Sequence, residues 1–407
     1  MLEAALESGA AHKKAVFELF NRRLPAGRTY GVVAGTARAI EAISSFSLNS
    51  ADIQFLADHL NPETLEYLKN FRFTGNVYGY PEGELFFPYS PVLTVEATFG
   101  EAVLLETILL SIMNYDCAVA SAASRLRVAA GSIPLQELGS RRVNENAAVA
   151  AARAAYIAGW NGTSNLLAAK RYGVPVYGTS AHAYSLAHED EKVAFASQVK
   201  ALGVGTTLLV DTYDTPQGIR NAVEVAGVNL GAVRIDSGDP MVEIPAAREL
   251  LNSLGAVNTR VVFTGDLDYD TVSAITEAGL PVDGFGIGSA VVTGDGYPNC
   301  GFVYKLVAVE YDDGLMHPVA KKASGKSSIG GRKTVYRATD EDWFITAEHL
   351  FTDAPNVDQL NDMAAIQIPY IKNGNVVHLP TLEDARTRHA ESVRLLRPGQ
   401  TVETIIH

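Results

Sequence analysis

A repeated strand–helix pattern after residue 130 constrains the fold of this 407-residue chain more than any other feature. Short apolar runs recur there, and each ends in Gly, Ser, Thr or Asp before the next helical stretch. The runs are LQELGS, YIAGWNGTSN, VPVYGTSAH, TTLLVDT, GAVRIDSGD, RVVFTGDLD and VDGFGIGS, which end at residues 140, 165, 182, 212, 239, 268 and 289. The pattern predicts parallel strands joined by helices, with a polar cluster at the C-terminal end of every strand.

Polar strand ends are typical of both doubly wound sheets and barrels. In a barrel all strand ends converge on one face, so seven polar ends favour a barrel. No GxGxxG follows an early strand, which weakens a dinucleotide-binding alternative. We therefore predict the α/β class, with a barrel that carries the active site at 131–310 and an α/β domain at 1–130. Strand-like text beyond residue 300 predicts that 311–407 returns to that first domain.

Composition limits the partners of the chain. The formal net charge of −13 disfavours nucleic acid and anionic membranes. The two cysteines, Cys117 and Cys300, make no disulfide framework, which favours a reducing compartment. No apolar run reaches the roughly 18 residues of a membrane span, and the first residues lack the features of a signal peptide. These observations predict a cytoplasmic protein with no nucleic-acid or membrane partner.

Two glycine-containing strand ends are candidates for binding a phosphate. GDLD contributes Gly265 and Asp266, and GFGIGS contributes Gly286, Gly288 and Ser289. Small residues allow backbone N–H groups to approach an anion at the start of a helix. The alternative is a tight turn that needs glycine for geometry alone. Two such ends on successive strands favour a ligand site.

Charged residues at the same strand ends add to this site. Arg141, Arg142 and Arg234 offer planar donors suited to phosphate or carboxylate, and structural ion pairs are the alternative. Arg234 lies within an apolar run, which favours a functional role. Aspartates at strand ends can orient a histidine, bind ribose hydroxyls, hold Mg²⁺ or cap a helix, and Asp239 before Pro240 is expected to cap. These aspartates are Asp211, Asp236, Asp239, Asp266 and Asp268.

His182 stands between an apolar run at 174–177, predicted to be a buried strand, and a helix. A lone histidine is commonly structural, but a nucleophilic one needs a carboxylate to fix its tautomer, and Asp211 closes the next run. No transition-metal motif is present.

The acid-free segment 314–338 is either a mobile basic loop that closes over an anionic substrate or a solvated hairpin. The residues alone therefore predict a barrel enzyme for a phosphorylated sugar. A sugar-phosphate aldolase or isomerase would favour a lysine at a strand end, and none ends these runs.

An ordered set of motifs from about residue 15 to 337 resembles the nicotinate phosphoribosyltransferase family. The motifs are FELFNRRLPAGRTYGVVAG, FTGNVYGYPEG, ELGSRR, GWNGTSN, VYGTSAHAY, LLVDTYDT, VRIDSGD, GDLD, DGFGIG and VAKKASGK…GGRKTVYR. The resemblance implies an incomplete, TIM-like α/β barrel beside an α/β open-faced sandwich domain. It also implies that nicotinate and 5-phosphoribosyl 1-pyrophosphate react to nicotinate mononucleotide and pyrophosphate in NAD biosynthesis, with coupled ATP hydrolysis.

The resemblance implies roles for individual residues. His182 would be transiently phosphorylated by ATP and oriented by Asp211. Thr163 and Ser164 would choose the acid over the amide, because nicotinamide enzymes place an aspartate near the position of Ser164. Mg²⁺ would be a cofactor, with ligands that the sequence does not specify, and a homodimer with active sites at its interface is expected. Arg141 and Arg234 would face substrate phosphates or the nicotinate carboxylate, Asp236 with Ser237 would lie near the ribose, and Gly265, Asp266, Gly286, Gly288 and Ser289 would cradle the 5-phosphate.

The chain departs from the family pattern at two places. Family members carry a tyrosine just upstream of the first helix that stacks on nicotinate from the neighbouring subunit, whereas this sequence starts at MLEAAL, inside that helix. Leu138 stands where a phenylalanine is common. A non-catalytic ligand-binding homologue therefore remains an alternative. A nicotinamide enzyme is opposed by Ser164, and a quinolinate enzyme is opposed by the His182 motif.

Overall fold

A computed structural model describes residues 1–322, 328–356, 360 and 363–407. These residues divide into two compact units, Met1–Ser121 with Asn299–His407, and Ala122–Pro298. Both limits lie earlier than the predicted boundaries at 130 and 310. One reason is that strand Val303–Glu310 pairs with Lys14–Phe20, so the chain is back in the first unit before residue 310. The other is that a continuous helix, Phe99–Ala130, runs across the first limit.

The helices and strands of the described residues are as follows. The helices are α1 Leu2–Glu7, α2 Thr36–Ser45, α3 Ser50–Leu56, α4 Pro62–Lys69, α5 Phe99–Ala130, α6 Glu145–Ile157, α7 Leu166–Tyr172, α8 His182–Leu186, α9 Glu191–Leu202, α10 Thr215–Ala226, α11 Pro240–Ser253, α12 Tyr269–Glu277, α13 Ser289–Val292 and α14 Leu382–Arg394, with a 3₁₀ turn at Ala10–His12. The strands are β1 Lys14–Phe20, β2 Gly31–Val32, β3 Asn76–Gly79, β4 Leu85–Phe86, β5 Leu93–Thr98, β6 Leu135–Glu137, β7 Gly162–Thr163, β8 Thr207–Leu209, β9 Ala232–Ile235, β10 Arg260–Phe263, β11 Gly284–Ile287, β12 Val303–Glu310, β13 Met316–Pro318, β14 Thr334–Thr339, β15 Ile345–Phe351, β16 Met363–Ala365, β17 Ile368–Lys372, β18 Asn375–Val376 and β19 Glu403–Ile406.

The first unit is built on an antiparallel sheet. In the described residues its strand order is β13-β12-β1-β5-β3-β17-β18, and a second sheet has the order β16-β14-β15-β19. Alternation along β1 places Phe17 and Leu19 in the core with Val95 of β5. Aromatic and β-branched residues alternate within 71–98 around a PEG turn, which predicts a small antiparallel sheet. The antiparallel pairing of β3 with β5 confirms this prediction.

Helix α5 supplies much of the core of this unit. Leu105, Leu109, Met113 and Cys117 are fully buried along it and pack in the same cluster as β1. Residues 101–130 keep apolar residues at helical spacing, which predicts a helix, and the helix is continuous from Phe99 to Ala130. Its most apolar 18 residues have a mean hydropathy of 1.5, so by length and composition it could cross a membrane. A core helix of a soluble protein passes the same test, and Glu106, Asn114 and Asp116 interrupt the apolar residues of α5, so no uninterrupted apolar run of 18 residues is present in it.

The second unit contains a parallel sheet with the order β7-β6-β11-β10-β9-β8 among the described residues. Helices α9 to α12 follow one another between its strands, and β9 and β11 are largely buried, as expected for a parallel sheet covered on both faces. Edge strands β7 and β8 do not pair with each other in the part of the chain that the structure describes, so the sheet stays open. The predicted α/β class is confirmed, and the curled half-barrel sheet agrees with the incomplete barrel that the resemblance implies.

One of the seven apolar runs does not form a strand. The run at 174–177 makes only an isolated bridge, between Val176 and Thr163. Val174 is buried, but Val176 is 54% exposed, so the prediction of a buried strand there was wrong. Its neighbour β7 is only two residues long and offers little edge to pair with. His182 therefore begins α8 after an extended loop.

Candidate active site

A cavity of about 240 Å³ opens at the C-terminal ends of β6, β9, β10 and β11 in the second unit. Its lining consists of Leu138, Arg141, Arg142, Arg234, Asp236, Thr264, Asp266, Leu267, Asp268, Gly286, Gly288, Ser289 and Ala290. The predicted site residues Arg141, Arg234, Asp236, Asp266, Gly286, Gly288 and Ser289 are therefore brought together. The predicted residues Thr163, Ser164, His182, Asp211, Ser237 and Gly265 are not part of this lining.

Arg234 is held on three sides by protein groups. Its Nε donates to Thr264 Oγ1, its Nη1 donates to Thr179 Oγ1 and its Nη2 donates to Asp236 Oδ1, each at 2.7 Å. Thr264 Oγ1 in turn donates to the same Asp236 oxygen. Partial burial acts to raise the pKa of Asp236, but the hydrogen bond from Thr264 and the charge of Arg234 outweigh it, so that pKa lies below its usual value. Arg234 thus makes the structural ion pair that the sequence left open, and it also lines the cavity.

Arg141 and Arg142 are in the opposite situation. Both side chains are exposed at the mouth of the cavity, and neither makes an ion pair or side-chain hydrogen bond with the described residues. Their turn is fixed by the backbone, because Arg142 N donates to Gly139 O at 2.8 Å. Two uncompensated guanidinium groups beside one cavity are suited to an anionic ligand with several oxygens.

The glycines at the strand ends serve packing. A Cβ atom at Gly286 would lie 2.5 Å from Leu138 Cδ1 and 2.6 Å from Thr264 Cγ2. A Cβ atom at Gly265 would lie 2.7 Å from Asp236 O. The close approach of neighbouring atoms therefore requires glycine at both positions, whether or not a ligand binds there. Gly288 is less crowded, with Leu138 O as the nearest atom at 3.3 Å, and it lines the cavity.

The aspartates divide into caps and cavity residues. Asp239 accepts from Met241 N and caps α11, which confirms the predicted cap. Asp268 caps α12 through Thr271 N, and although its partial burial opposes this effect, its hydrogen bonds with Thr271 place its pKa below the usual value. Asp266 is exposed at the cavity and accepts no hydrogen bond from the described residues. Asp266 and Asp236 are thus the carboxylates that face the cavity without serving as caps.

His182 lies beside this cavity, facing two carboxylates. Its Nε2 is 3.6 Å from Asp236 Oδ2 and 4.0 Å from Asp211 Oδ1, and its Nδ1 is 3.4 Å from Thr212 Oγ1. Asp211 Oδ2 accepts from Asp236 N at 2.9 Å and from Ser237 Oγ at 2.6 Å, whereas the buried Oδ1 has no partner among the described residues. The histidine side chain is 40% exposed. Asp236 is therefore nearer to the histidine than Asp211, the carboxylate that the sequence suggested.

Known proteins match the chain over nearly its whole length. Residues 1–114 match the nicotinate phosphoribosyltransferase (NAPRTase) N-terminal domain, and residues 133–354 match the NAPRTase family. The nicotinate phosphoribosyltransferase pncB1 of Mycobacterium tuberculosis is 49% identical over 407 residues, which is 98% of this chain and 89% of the relative. The chain belongs to the nicotinate phosphoribosyltransferase family.

Solved structures agree with the architecture of this family. The human nicotinic acid phosphoribosyltransferase structure superposes with a TM-score of 0.85, covering 100% of this chain and 96% of that one at 24% identity. A nicotinate-nucleotide pyrophosphorylase from Pyrococcus furiosus superposes with a TM-score of 0.80, covering 97% and 92% at 26% identity. The mixed α/β fold with its half-barrel sheet is therefore the fold of nicotinate phosphoribosyltransferases.

The loop expected to select the acid in this family has an internal support. Thr163 Oγ1 donates to Glu137 Oε2 at 2.5 Å, so the single hydroxyl proton of Thr163 is not available to a substrate. Ser164 is exposed, and its N donates to Glu137 O at 3.0 Å. Burial raises the pKa of Glu137, and its hydrogen bonds with Thr163 and Gly139 offset only part of that effect.

Sequence reasoning missed Thr264, which lines the cavity, and Glu137, which accepts a hydrogen bond from Thr163. Glu137 lies in the motif ELGSRR as the last residue of β6, and Thr264 lies in the run RVVFTGDLD as the first residue after β10. A polar residue at the end of a strand is the signal that could have identified them, because the ends of parallel strands in a barrel face one another.

The basic segment 314–338 serves the first unit. Lys333 is buried in an ion pair with Glu18, and Arg332 pairs with Glu96. Arg337 is likewise buried between Glu84 and Glu348. These three cations are neutralised by the protein, which does not fit a solvated hairpin. Residues 323–327, at the centre of the segment expected to be a mobile loop, lie outside the described residues.

Proposed function

We propose that this nicotinate phosphoribosyltransferase joins nicotinate to 5-phosphoribosyl 1-pyrophosphate and couples the reaction to ATP hydrolysis through phosphorylated His182. Family membership gives the enzyme class and its place in NAD biosynthesis. The observation that carries the proposal is the pair of uncompensated guanidinium groups, Arg141 and Arg142, at a cavity adjoining a half-exposed histidine. An anionic substrate bound by these guanidinium groups would therefore lie next to His182, the side chain proposed to be phosphorylated.

In the transfer step the pyridine nitrogen attacks C1 of the ribose as the bond to the pyrophosphate oxygen breaks. C1 gains oxocarbenium character, as in glycoside chemistry, and the electron pair leaves with pyrophosphate. Arg141 and Arg142 would stabilise the leaving charge, and Arg234, already fixed by Thr264, Thr179 and Asp236, would need no reorganisation on binding. The protein's contribution is therefore position and charge.

In the ATP step an imidazole nitrogen of His182 attacks the terminal phosphorus of ATP, and the bond to the ADP oxygen breaks. Water later takes the phosphoryl group and returns the free histidine. Asp236 and Asp211, with oxygens 3.6 and 4.0 Å from Nε2, would stabilise an imidazolium between these states. The exposed fraction of the ring leaves one side open to the nucleotide.

Mg²⁺ fits the carboxylates of the cavity. Magnesium binds through one or two carboxylates together with substrate phosphates, and Asp266 offers oxygens that accept no hydrogen bond from the described residues. Asp266, with Asp236 as a second oxygen donor, would hold the ion, which supplies charge neutralisation of the phosphates.

We further propose a cytoplasmic homodimer with active sites at its interface, as the family resemblance implies.

The test is nicotinate mononucleotide formation from nicotinate and phosphoribosyl pyrophosphate, with and without ATP. Nicotinamide and quinolinate serve as competing substrates, since the fold is shared with a nicotinate-nucleotide pyrophosphorylase. We expect turnover of nicotinate that ATP increases, and a His182→Ala variant that has lost the increase. His188→Ala is the matched control, because His188 Nδ1 contacts Tyr184 O and no cavity residue. Turnover of quinolinate, or equal ATP stimulation in both variants, would contradict the proposal.

A further inference from the structure

Glu137 is a buried carboxylate without a cationic partner among the described residues. It ends β6 and is 1% exposed. Its Oε1 accepts from Gly139 N and its Oε2 accepts from Thr163 Oγ1. Burying a carboxylate in this way is costly, and an apolar residue would fill the same space at lower cost. A carboxylate buried at such a cost is a candidate for a role in the site.

One of its two contacts fixes the turn that presents the arginines. Gly139 begins that turn, and its O accepts from Arg142 N. The turn packs closely against α13 and Gly288, because a Cβ at Gly139 would lie 2.3 Å from Val292 Cγ1 and 2.8 Å from Gly288 O. Glu137 Oε1 thereby anchors the guanidinium pair against the cavity wall formed by Gly288.

The other contact fixes the loop after β7. Thr163 Oγ1, while donating to Glu137, accepts from Asn165 N at 2.9 Å. Asn165 Nδ2 then donates to Ser140 Oγ at 3.0 Å, back in the arginine turn. The hydrogen bonds therefore link Glu137 to Ser140 through Thr163 and Asn165, and the backbone from Ser140 to Gly139 leads back to Glu137 Oε1. Ser164 lies between Thr163 and Asn165 in the loop, and its N donates to Glu137 O.

We infer that Glu137 is a positioning residue that sets the spacing between the arginine turn, 139–142, and the loop 162–165. The inference rests on the proposed function, in which the turn binds the phosphates, together with the family resemblance, which implies that the loop receives nicotinate. The substrate atoms held by the arginine turn and by the loop 162–165 must approach within bonding distance. A change in the spacing between turn and loop therefore lowers turnover without unfolding the second unit. Glu137 touches neither substrate and acts through the two loops.

The test compares Glu137→Gln with Glu137→Met. The Gln amide oxygen still accepts from Gly139 N and its N–H₂ donates to Thr163, whereas Met makes neither bond. We expect Met to raise KM for nicotinate and lower kcat/KM by about 100-fold, with Gln recovering most of the loss. Leu251→Ala is the stability control, because Leu251 is fully buried on α11 and remote in sequence from both loops. We expect Leu251→Ala to lower the melting temperature and to leave KM for nicotinate unchanged.

Hydrogen–deuterium exchange decides the inference independently of activity. Glu137→Met should accelerate exchange in both 139–142 and 162–165 by about 10-fold, the scale of one lost hydrogen bond. Thr163→Val, which removes only the hydroxyl donor, should accelerate exchange at 162–165 and leave Gly139 protected. This second variant keeps the test decisive if Glu137→Met does not fold.

Unchanged exchange at either loop, or a Met variant that matches Leu251→Ala in KM, would overturn the inference. A wild-type enzyme that makes no product from nicotinate would instead contradict the proposed function, and the exchange result would still show whether Glu137 fixes both loops.

Discussion

At the residue scale, the hydroxyl of Thr264 controls the charge of the cavity. It donates to Asp236 Oδ1 and accepts from Arg234 Nε at 2.7 Å, and its bond is a leading cause of the lowered pKa of Asp236. Thr264→Val removes the bond and keeps the shape, so we expect the pKa of Asp236 to rise. Asp236 would then protonate at higher pH, and the acid limb of the kcat/KM profile would move upward.

Thr264→Ser is the matched control for that shift. Serine keeps the hydroxyl, so the acid limb should stay close to that of the unmodified enzyme even though a methyl group is lost. The measurement is kcat/KM for nicotinate between pH 4 and 8. An acid limb that moves equally in both variants would assign the effect to packing and not to the hydrogen bond.

Ser164 carries a second prediction at this scale. Its side chain is exposed, so Ser164→Asp introduces a carboxylate without a steric clash. Because nicotinate is an anion, we expect KM for nicotinate to rise by about 10-fold or more, the scale of one unfavourable charge contact. Ser164→Asn, which has the same size and no charge, should have a smaller effect. Equal kinetics for Asp and Asn would remove Ser164 from substrate selection.

At the element scale, strand β11 depends on a missing side chain. Gly286→Ala would place Cβ within 2.6 Å of both Leu138 and Thr264 side chains. Relieving that overlap must move the ends of β6 or β10, and we expect a loss of about 1–3 kcal/mol in the free energy of unfolding. Gly205→Ala is the control, because no atom lies within 4 Å of its added Cβ. Urea denaturation of both variants checks this, and equal stability would contradict the crowding argument.

The elements also explain how far the sequence could predict the site. Each polar strand end was visible in the chain as the residue at which an apolar run stops, and most of these runs became strands. The pairing of β6 with β11 was not visible, because it joins distant segments and no local period records it. That pairing brings Arg141 next to Gly288. The nearer approach of Asp236 to His182, compared with Asp211, depends on side-chain rotamers that a sequence does not fix.

At the scale of the whole molecule, a negatively charged protein must bind anionic substrates. The net charge of −13 opposes such ligands at long range. Three basic side chains of the segment 314–338 are also unavailable, since Lys333, Arg332 and Arg337 pair with acids of the first unit. Binding therefore depends on local guanidinium groups such as Arg141 and Arg142, which are uncompensated among the described residues. Because the repulsion is screened by salt and those contacts are local, substrate affinity should depend less on ionic strength than in a basic protein.

The stability of the whole fold against acid provides the last prediction. Burial lowers the pKa of His389, on α14, from 6.5 to about 4. Between these two values the unfolded chain binds a proton that the folded chain does not, so stability falls as the pH drops from 6.5 toward 4. The full effect of this one residue is at most about 3 kcal/mol. His389→Gln cannot titrate and should flatten that part of the stability–pH curve, whereas His59→Gln, at an exposed position, should leave the slope unchanged. Urea unfolding at several pH values measures both slopes, and an unchanged slope in His389→Gln would show that other groups govern the acid response.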